Sequence, residues 1–168
     1  ELTLSKLKTI RKSEYSGWVV YYRAMALAAS GQFSVAFEVM STLADDLWLA
    51  EISQLQISLW HIKRQEYDHA ANILKALQQA FPESAFYTEQ LGNLYMESGA
   101  YPAAIAQLTT AAALAGDNRG VRLNLARAFV LNKQFSEAQG VLESVLNDYP
   151  NHITSLFDYG VLLKNMGR

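Results

Sequence analysis

Few reactive side chains in this sequence have the spacing of a known catalytic, metal-binding or phosphate-binding motif. His61 and His69 are eight residues apart, His152 lies beside a predicted turn, and none has an acidic partner at the spacing of a metal site. Cysteine is absent, and the chain contains neither a G-x-S-x-G elbow nor a phosphate-binding glycine loop. The glycines of GDNRG at 116–120 flank a predicted turn between helices. We therefore predict no catalytic residue, no metal, no cofactor and no enzymatic activity.

The composition argues against two classes of partner. The 168 residues are 51% hydrophobic and carry a formal net charge of −2, so a basic surface for nucleic-acid phosphates is not expected. The most apolar windows, at 22–29 and 111–115, are far shorter than the roughly 20 residues that cross a bilayer. We expect a folded, soluble chain without an evident signal or transmembrane segment, and its compartment stays open.

Residues 1–16 have the pattern of a basic amphipathic helix, with Leu4, Leu7 and Ile10 at helical spacing. Such a helix can bind membranes. Thr3, Leu7 and Ile10 also match the small and apolar columns of the repeat described below, if one extra linker residue is allowed. We therefore favour a flanking or capping helix, or the second helix of a preceding repeat, over a membrane role.

An internal period of 34 residues organises the rest of the chain, and abundant alanine, leucine and glutamine predict helices throughout. An aromatic residue recurs at this period. Each time it is followed three residues later by an alanine, and one helical turn further by a large apolar residue. The series are Phe33, Tyr67, Tyr101 and Phe135; Ala36, Ala70, Ala104 and Ala138; Met40, Leu74, Leu108 and Leu142. A fourth column holds the small residues Ala24, Ser58, Gly92, Ala126 and Gly160. Repetition of this length indicates stacked helix pairs, because one pair alone leaves an apolar face uncovered.

These columns resemble the tetratricopeptide repeat (TPR) family, whose repeat of about 34 residues contains an L-G-x2-Y core and an A-x3-F pair. The third repeat matches best, because Leu91, Gly92 and Tyr95 form the first motif, while Ala104 and Leu108 form the second. The resemblance implies an all-α fold, a right-handed superhelical solenoid of antiparallel helix pairs.

The resemblance covers most of the chain in one continuous domain. Complete repeats are expected at 17–50, 51–84, 85–118 and 119–152, and the first helix of a truncated or capping repeat at 153–168. Because that last helix would leave an apolar flank uncovered, we expect the natural protein to continue beyond Arg168.

In this family the first helix of each repeat lines a concave groove, and the resemblance implies the same role here. On the groove face the N-terminal repeats place mainly apolar residues, whereas the later repeats place polar ones. A column of amides also recurs on this face at intervals of 34 residues, at Gln56, Gln90 and Asn124. An amide both donates and accepts, so a column of amides suits the backbone of an extended peptide. The predicted groove residues are Trp18, Tyr21, Tyr22, Met25, Ile52, Leu55, Gln56, Leu59, Phe86, Gln90, Asn93, Asn124, Arg127 and Asp158.

We predict a non-enzymatic protein–protein interaction scaffold that binds an extended peptide or an amphipathic helix of a partner protein. Two alternatives stay open: a substrate-selecting arm of a larger enzyme such as a glycosyltransferase, and a self-association module that forms a homo-oligomer. The family's clamp for acidic C termini of heat-shock chaperones needs lysine, asparagine and arginine side chains. Starting from repeat one, this chain instead has Tyr21, Met25, Gln56, Phe86 and Gln90 at those positions. Starting from repeat three, Asn93 and Asn124 match, but Glu89, Thr154 and Asp158 replace the basic residues, so chaperone tails are not expected to bind.

Overall fold

The computed structural model describes residues 16–46 and 48–167, and every regular element in those residues is a helix. The helices are α1 (Ser16–Ala29), α2 (Phe33–Ser41), α3 (Ala50–Lys63), α4 (Tyr67–Ala80), α5 (Ala85–Glu97), α6 (Tyr101–Ala115), α7 (Arg119–Leu131), α8 (Phe135–Asp148) and α9 (Ile153–Asn165). The predicted all-α fold class is confirmed. Apart from Ser16, the flanking helix predicted at 1–16 lies outside the described residues.

The turns between helices repeat one backbone conformation. The helices α2, α4, α6 and α8 begin at the four residues of the aromatic series, and two residues before each of them the chain adopts a positive φ. These left-handed residues are Gly31, Gln65, Gly99 and Lys133, and Gly167 follows at the same interval of 34. Because the backbone turns in the same way each time, the helix pairs are closed by the same geometry, although two of these residues are not glycine.

The described residues form two compact units, which divide between Ile73 and Leu74. In the first unit α1 packs on α2, and α2 packs on α3. Ala24, Ala36 and Met40, which belong to the small, alanine and large apolar columns, have no exposed surface. The full core of this unit consists of Ala24, Leu27, Ala28, Ala36, Met40, Leu43, Leu49, Ile57 and Trp60.

In the second unit α5 packs on α6, and α7 packs on α8. Ala104 and Leu108 of α6 are fully buried, as are Ala126 of α7 and Ala138 of α8, so the columns of the sequence form the contacts between helices. Besides these pairs, α5 contacts α7 and α7 contacts α9. The first helices of successive repeats therefore lie next to one another, and their side chains meet on one face.

Candidate binding surface

The predicted groove residues of α1 include three aromatic rings in mutual contact, here called the aromatic patch. The ring centroids of Trp18 and Tyr21 are 5.8 Å apart, those of Trp18 and Tyr22 6.1 Å, and those of Tyr21 and Tyr22 5.6 Å. Trp18 is 40% exposed and Tyr22 51% exposed, whereas Tyr21 and Met25 are half-buried. The patch offers apolar area at the surface, and the stacked and edge-to-face contacts hold its rings in place.

Tyr21 joins this patch to α3. Its hydroxyl donates a hydrogen bond to Oε1 of Gln56 at 3.4 Å. Burial raises the pKa of Tyr21, and the neighbouring Tyr22 raises it further, so the hydroxyl stays protonated and able to donate. Elsewhere on α3, Ile52 and Leu59 are exposed and Leu55 is half-buried.

In the second unit, polar residues of three first helices are joined by hydrogen bonds. Asn124 of α7 donates from Nδ2 to Oε1 of Glu89 in α5 at 2.8 Å. Arg127, also in α7, donates to Oδ2 of Asp158 in α9 from Nε at 2.9 Å and from Nη2 at 2.8 Å. A longer contact of 3.4 Å, from Nη1 of Arg127 to Oδ1 of Asn124, connects the two links. We call these four residues, together with Asn93, the polar face.

Asn93 and Gln90 keep hydrogen-bonding capacity that the described residues do not use. Oδ1 of Asn93 is buried and accepts no hydrogen bond from them. Gln90 is half-buried, and no described residue hydrogen-bonds to its amide. Of the three amides predicted to form a column, Gln56 accepts from Tyr21 and Asn124 donates to Glu89, so Gln90 alone has both amide atoms unengaged within the described chain.

Phe86 lies in the first turn of α5 and adds exposed apolar area to the second unit. Its ring is 47% exposed and meets the buried ring of Tyr87 edge-on, with centroids 5.3 Å apart. Phe86 and Gln90 are one helical turn apart, so an exposed aromatic ring and an unengaged amide lie on the same side of α5.

An open cavity of about 490 Å³ lies between the start of α7 and the turn that leads into α9. Its lining residues are Asn118, Arg119, Gly120, Leu123, Asn124, Arg127, Tyr149, His152 and Thr154. Asn124 and Arg127 were predicted as groove residues, whereas Arg119, Tyr149 and His152 were not. The guanidinium carbon of Arg119 lies 4.7 Å from the ring centre of Tyr149. Neither residue belongs to a recurring column, so the sequence carries no signal for this pair.

His61 has an acidic neighbour, Glu66, that lies outside the spacings of metal ligands considered in the sequence. Its Nδ1 lies 2.7 Å from Oε2 of Glu66, because the left-handed turn at Gln65 brings Glu66 back to the end of α3. The hydrogen bond from His61, and then that from Arg64, lowers the pKa of Glu66. The ring of His61 also stacks on that of His69, with centroids 5.2 Å apart.

Both carboxylates of the polar face have partners within the described chain, since Glu89 accepts from the amide of Asn124 and Asp158 pairs with the guanidinium of Arg127. In residues 16–46 and 48–167, no cluster of three or more histidine, aspartate or glutamate side chains is placed to hold a metal ion. None of the helices in that part of the chain has the length and apolarity needed to cross a bilayer.

Helix pairs that recur every 34 residues and are closed by one type of turn define a helical-repeat protein of the solenoid class. The family model for the tetratricopeptide repeat matches residues 95–156, and the predicted resemblance to this family is confirmed. The repeat is generally a non-catalytic interaction module. The fold therefore supports, in general terms, a protein–protein interaction scaffold with protein partners.

Solved structures support the fold assignment. A TPR protein from Parabacteroides merdae is 13% identical, with a TM-score of 0.77, over 97% of this chain and 64% of that one. MamA (41-end) from Desulfovibrio magneticus RS-1 is 19% identical, with a TM-score of 0.70, over 89% and 85%. A thermophilic TPR protein from Thermus thermophilus is 20% identical, with a TM-score of 0.68, over 95% and 88%. These identities show the fold alone, and a comparison with curated proteins finds no match.

Proposed function

We propose that the chain is a non-enzymatic scaffold that binds a peptide or helical segment of a partner protein along the exposed faces of its first helices. The observation that carries this proposal is the buried Oδ1 of Asn93, which has no donor among the described residues. Leaving such an acceptor unpaired costs about 1–3 kcal/mol. Because the Asn93 side chain as a whole is only half-buried, rotation of its amide toward the surface of α5 would let a backbone N–H of a bound segment relieve that cost. Asn93 is one helical turn from Glu89, the first member of the hydrogen-bonded chain.

Preorganisation gives the polar face an advantage as a binding surface. The side chains of Asn124 and Arg127 are already held by Glu89 and Asp158, so they lose little conformational freedom when a partner arrives. Gln90, with both amide atoms unengaged, can donate to and accept from the backbone of an extended peptide.

In the first unit, the aromatic patch supports the same function through apolar contact. Tryptophan and tyrosine are the residue types that most often dominate the energy of a protein interface, because each adds a large area at a small entropic cost. Trp18 and Tyr22 present such area at the surface, and Ile52 and Leu59 of α3 are exposed as well.

Site-specific photo-crosslinking in cells tests the proposal. A benzoylphenylalanine replaces Phe86 on α5 in one variant and Leu114, an exposed residue of α6, in the control. We expect partner adducts from position 86 and few from position 114, and we expect Asn93→Ala to reduce the adducts from position 86.

Equal crosslinking from the two positions would contradict binding along the first helices. If mass spectrometry finds only adducts between two copies of this chain, the surface serves self-association and the proposal is wrong.

A further inference from the structure

Arg119 is the arginine of α7 whose charge no carboxylate offsets. Arg122 pairs with Asp117 at 2.6 Å and with Asp148 at 2.8 Å, and Arg127 pairs with Asp158. Arg119 is half-buried and contacts the face of Tyr149, yet forms no ion pair with any described residue. A partly desolvated guanidinium without a counter-charge leaves a positive potential at its own position.

The α7–α9 cavity concentrates this potential. Arg119, Arg127 and His152 all line it, and no aspartate or glutamate is among its lining residues. Asp158 offsets the charge of Arg127 from outside the lining, and the carboxylate of Glu89 is bound by the amide of Asn124. Arg119 is therefore the lining arginine whose charge is available to a ligand. The contact with Tyr149 holds the guanidinium of Arg119 at the cavity, and its N–H groups form no ion pair with a described carboxylate.

His152 adds a second donor. Its Nδ1 accepts a hydrogen bond from the backbone N–H of Ser155 at 3.2 Å, so the neutral ring carries its proton on Nε2. A side chain that lines the cavity thus has an N–H group that the helix cap does not use.

We propose that this cavity binds a carboxylate of the partner segment, with the forked guanidinium of Arg119 as its anchor. The inference rests on the proposed function and names the chemistry of the partner: an acidic peptide segment whose carboxylate comes from a side chain or from the C terminus. Paired N–H groups of arginine match the two oxygens of a carboxylate, and such charge-assisted hydrogen bonds are stronger than neutral ones. A cavity of about 490 Å³ has room for one or two side chains.

A protein partner fits this cavity better than a nucleic acid. The chain has a net charge of −2, and a surface that follows a phosphate backbone needs a row of unpaired cations. Arg122 and Arg127 are paired, so α7 offers one anchoring charge and not a row. The proposed anchor is not a position of the family's carboxylate clamp. Starting from repeat one, the clamp positions hold Tyr21, Met25, Gln56, Phe86 and Gln90. Starting from repeat three, they hold Glu89, Asn93, Asn124, Thr154 and Asp158, and Arg119 belongs to neither set.

The test is a titration of the isotope-labelled full chain, followed by the amide resonances of Gly120 and Leu123, which line the cavity. The probes are a tetraglutamate peptide blocked at both ends, the matching tetraglutamine peptide, and trialanine with a free C terminus. We expect saturable shifts with tetraglutamate if side-chain carboxylates bind, with trialanine if a terminal carboxylate binds, and none with tetraglutamine. The shifts should weaken as salt is added.

Two variants make the test specific. Arg119→Gln should weaken the binding of the carboxylate probe by about tenfold, because it removes a charge-assisted pair. Arg64→Gln is the matched control: it removes the same charge from another arginine that lies over an aromatic ring, 5.5 Å from the centre of Phe33, and should leave binding within about twofold.

Equal shifts with tetraglutamine, an unchanged affinity in Arg119→Gln, or tighter binding of inorganic phosphate than of both carboxylate probes would overturn the proposal. Failure here is distinguishable from failure of the scaffold function, because crosslinking from Phe86 on α5 does not depend on Arg119. Adducts at Phe86 with no carboxylate binding at α7 would leave a scaffold whose partner is not acidic.

Discussion

A Cβ atom added at Gly92 would lie 2.6 Å from Cγ of Leu108 and 3.0 Å from its Cδ2. Leu108 has no exposed surface, so it cannot move aside without disturbing its neighbours. The glycine inside α5 is therefore required by the close approach of α6. This contact also fixes the position of α5, the helix that carries Glu89, Gln90 and Asn93.

Gly92→Ala should lower the free energy of unfolding by about 1–2 kcal/mol, because overpacking exceeds the gain in helix propensity. Gly140→Ala in α8 is the matched control, since no atom lies within 4 Å of the added Cβ. It should raise stability by roughly 0.5–1 kcal/mol. Urea denaturation measures both, and equal stability of the two variants would contradict the packing argument.

Substitutions at the left-handed residues of the turns should also change the free energy of unfolding. Gln65→Gly and Lys133→Gly should each stabilise the protein by about 0.5–1 kcal/mol, because glycine removes the strain of a positive φ. Gly99→Ala should destabilise it by about 1 kcal/mol, although nothing lies within 4 Å of the added Cβ. A neutral Gly99→Ala in thermal or urea unfolding would show that the turn relaxes without strain.

Acid should remove one stabilising contact at the end of α3. The folded-state pKa of Glu66 is depressed, first by the hydrogen bond from His61. Its contribution to stability is therefore present above the ordinary pKa of glutamate and is lost as the pH falls through the folded-state value. Carbon-detected NMR titration should show this depressed pKa moving up in His61→Gln, and Glu66→Gln should flatten the acid side of the stability profile. A Glu66 titration unchanged by His61→Gln would refute the coupling.

Replacing either asparagine of the polar face by alanine should affect the stability of the protein differently. Asn124→Ala leaves the half-buried carboxylate of Glu89 without its amide donor, so it should cost about 1–2 kcal/mol of stability. Asn93→Ala deletes an unpaired acceptor and should be nearly neutral in the same thermal melt, while it reduces partner adducts from position 86. A large loss of stability in Asn93→Ala would instead assign this residue to the packing of α5.

The helices and their contacts follow closely from the sequence, because they depend on short periodic patterns. The aromatic series marks the first residues of α2, α4, α6 and α8, and Ala36, Ala70, Ala104 and Ala138 are all fully buried. Such columns are readable because helix spacing alone determines which residues share a face.

The pairing of long polar side chains does not follow from the sequence. Asn124 and Glu89 are 35 residues apart, and Arg127 and Asp158 are 31 apart, so each contact depends on how neighbouring helices pack and which rotamers they allow. The hydrogen bond between His61 and Glu66 does not follow from the sequence for a different reason. It depends on a positive φ at Gln65. Glutamine rarely adopts this conformation, so its presence in a sequence does not predict a left-handed turn.

The order of the linked residues from Glu89 to Asp158 limits how the array can gain or lose units. Asp158 lies one period of 34 residues after Asn124, so deletion of residues 119–152 would place its carboxylate where the Asn124 amide now meets Glu89. Two carboxylates would then face each other and repel. The hydrogen bonds of the polar face thus depend on the number of helix pairs between Glu89 and Asp158. A shortened array would need a compensating substitution to keep these hydrogen bonds.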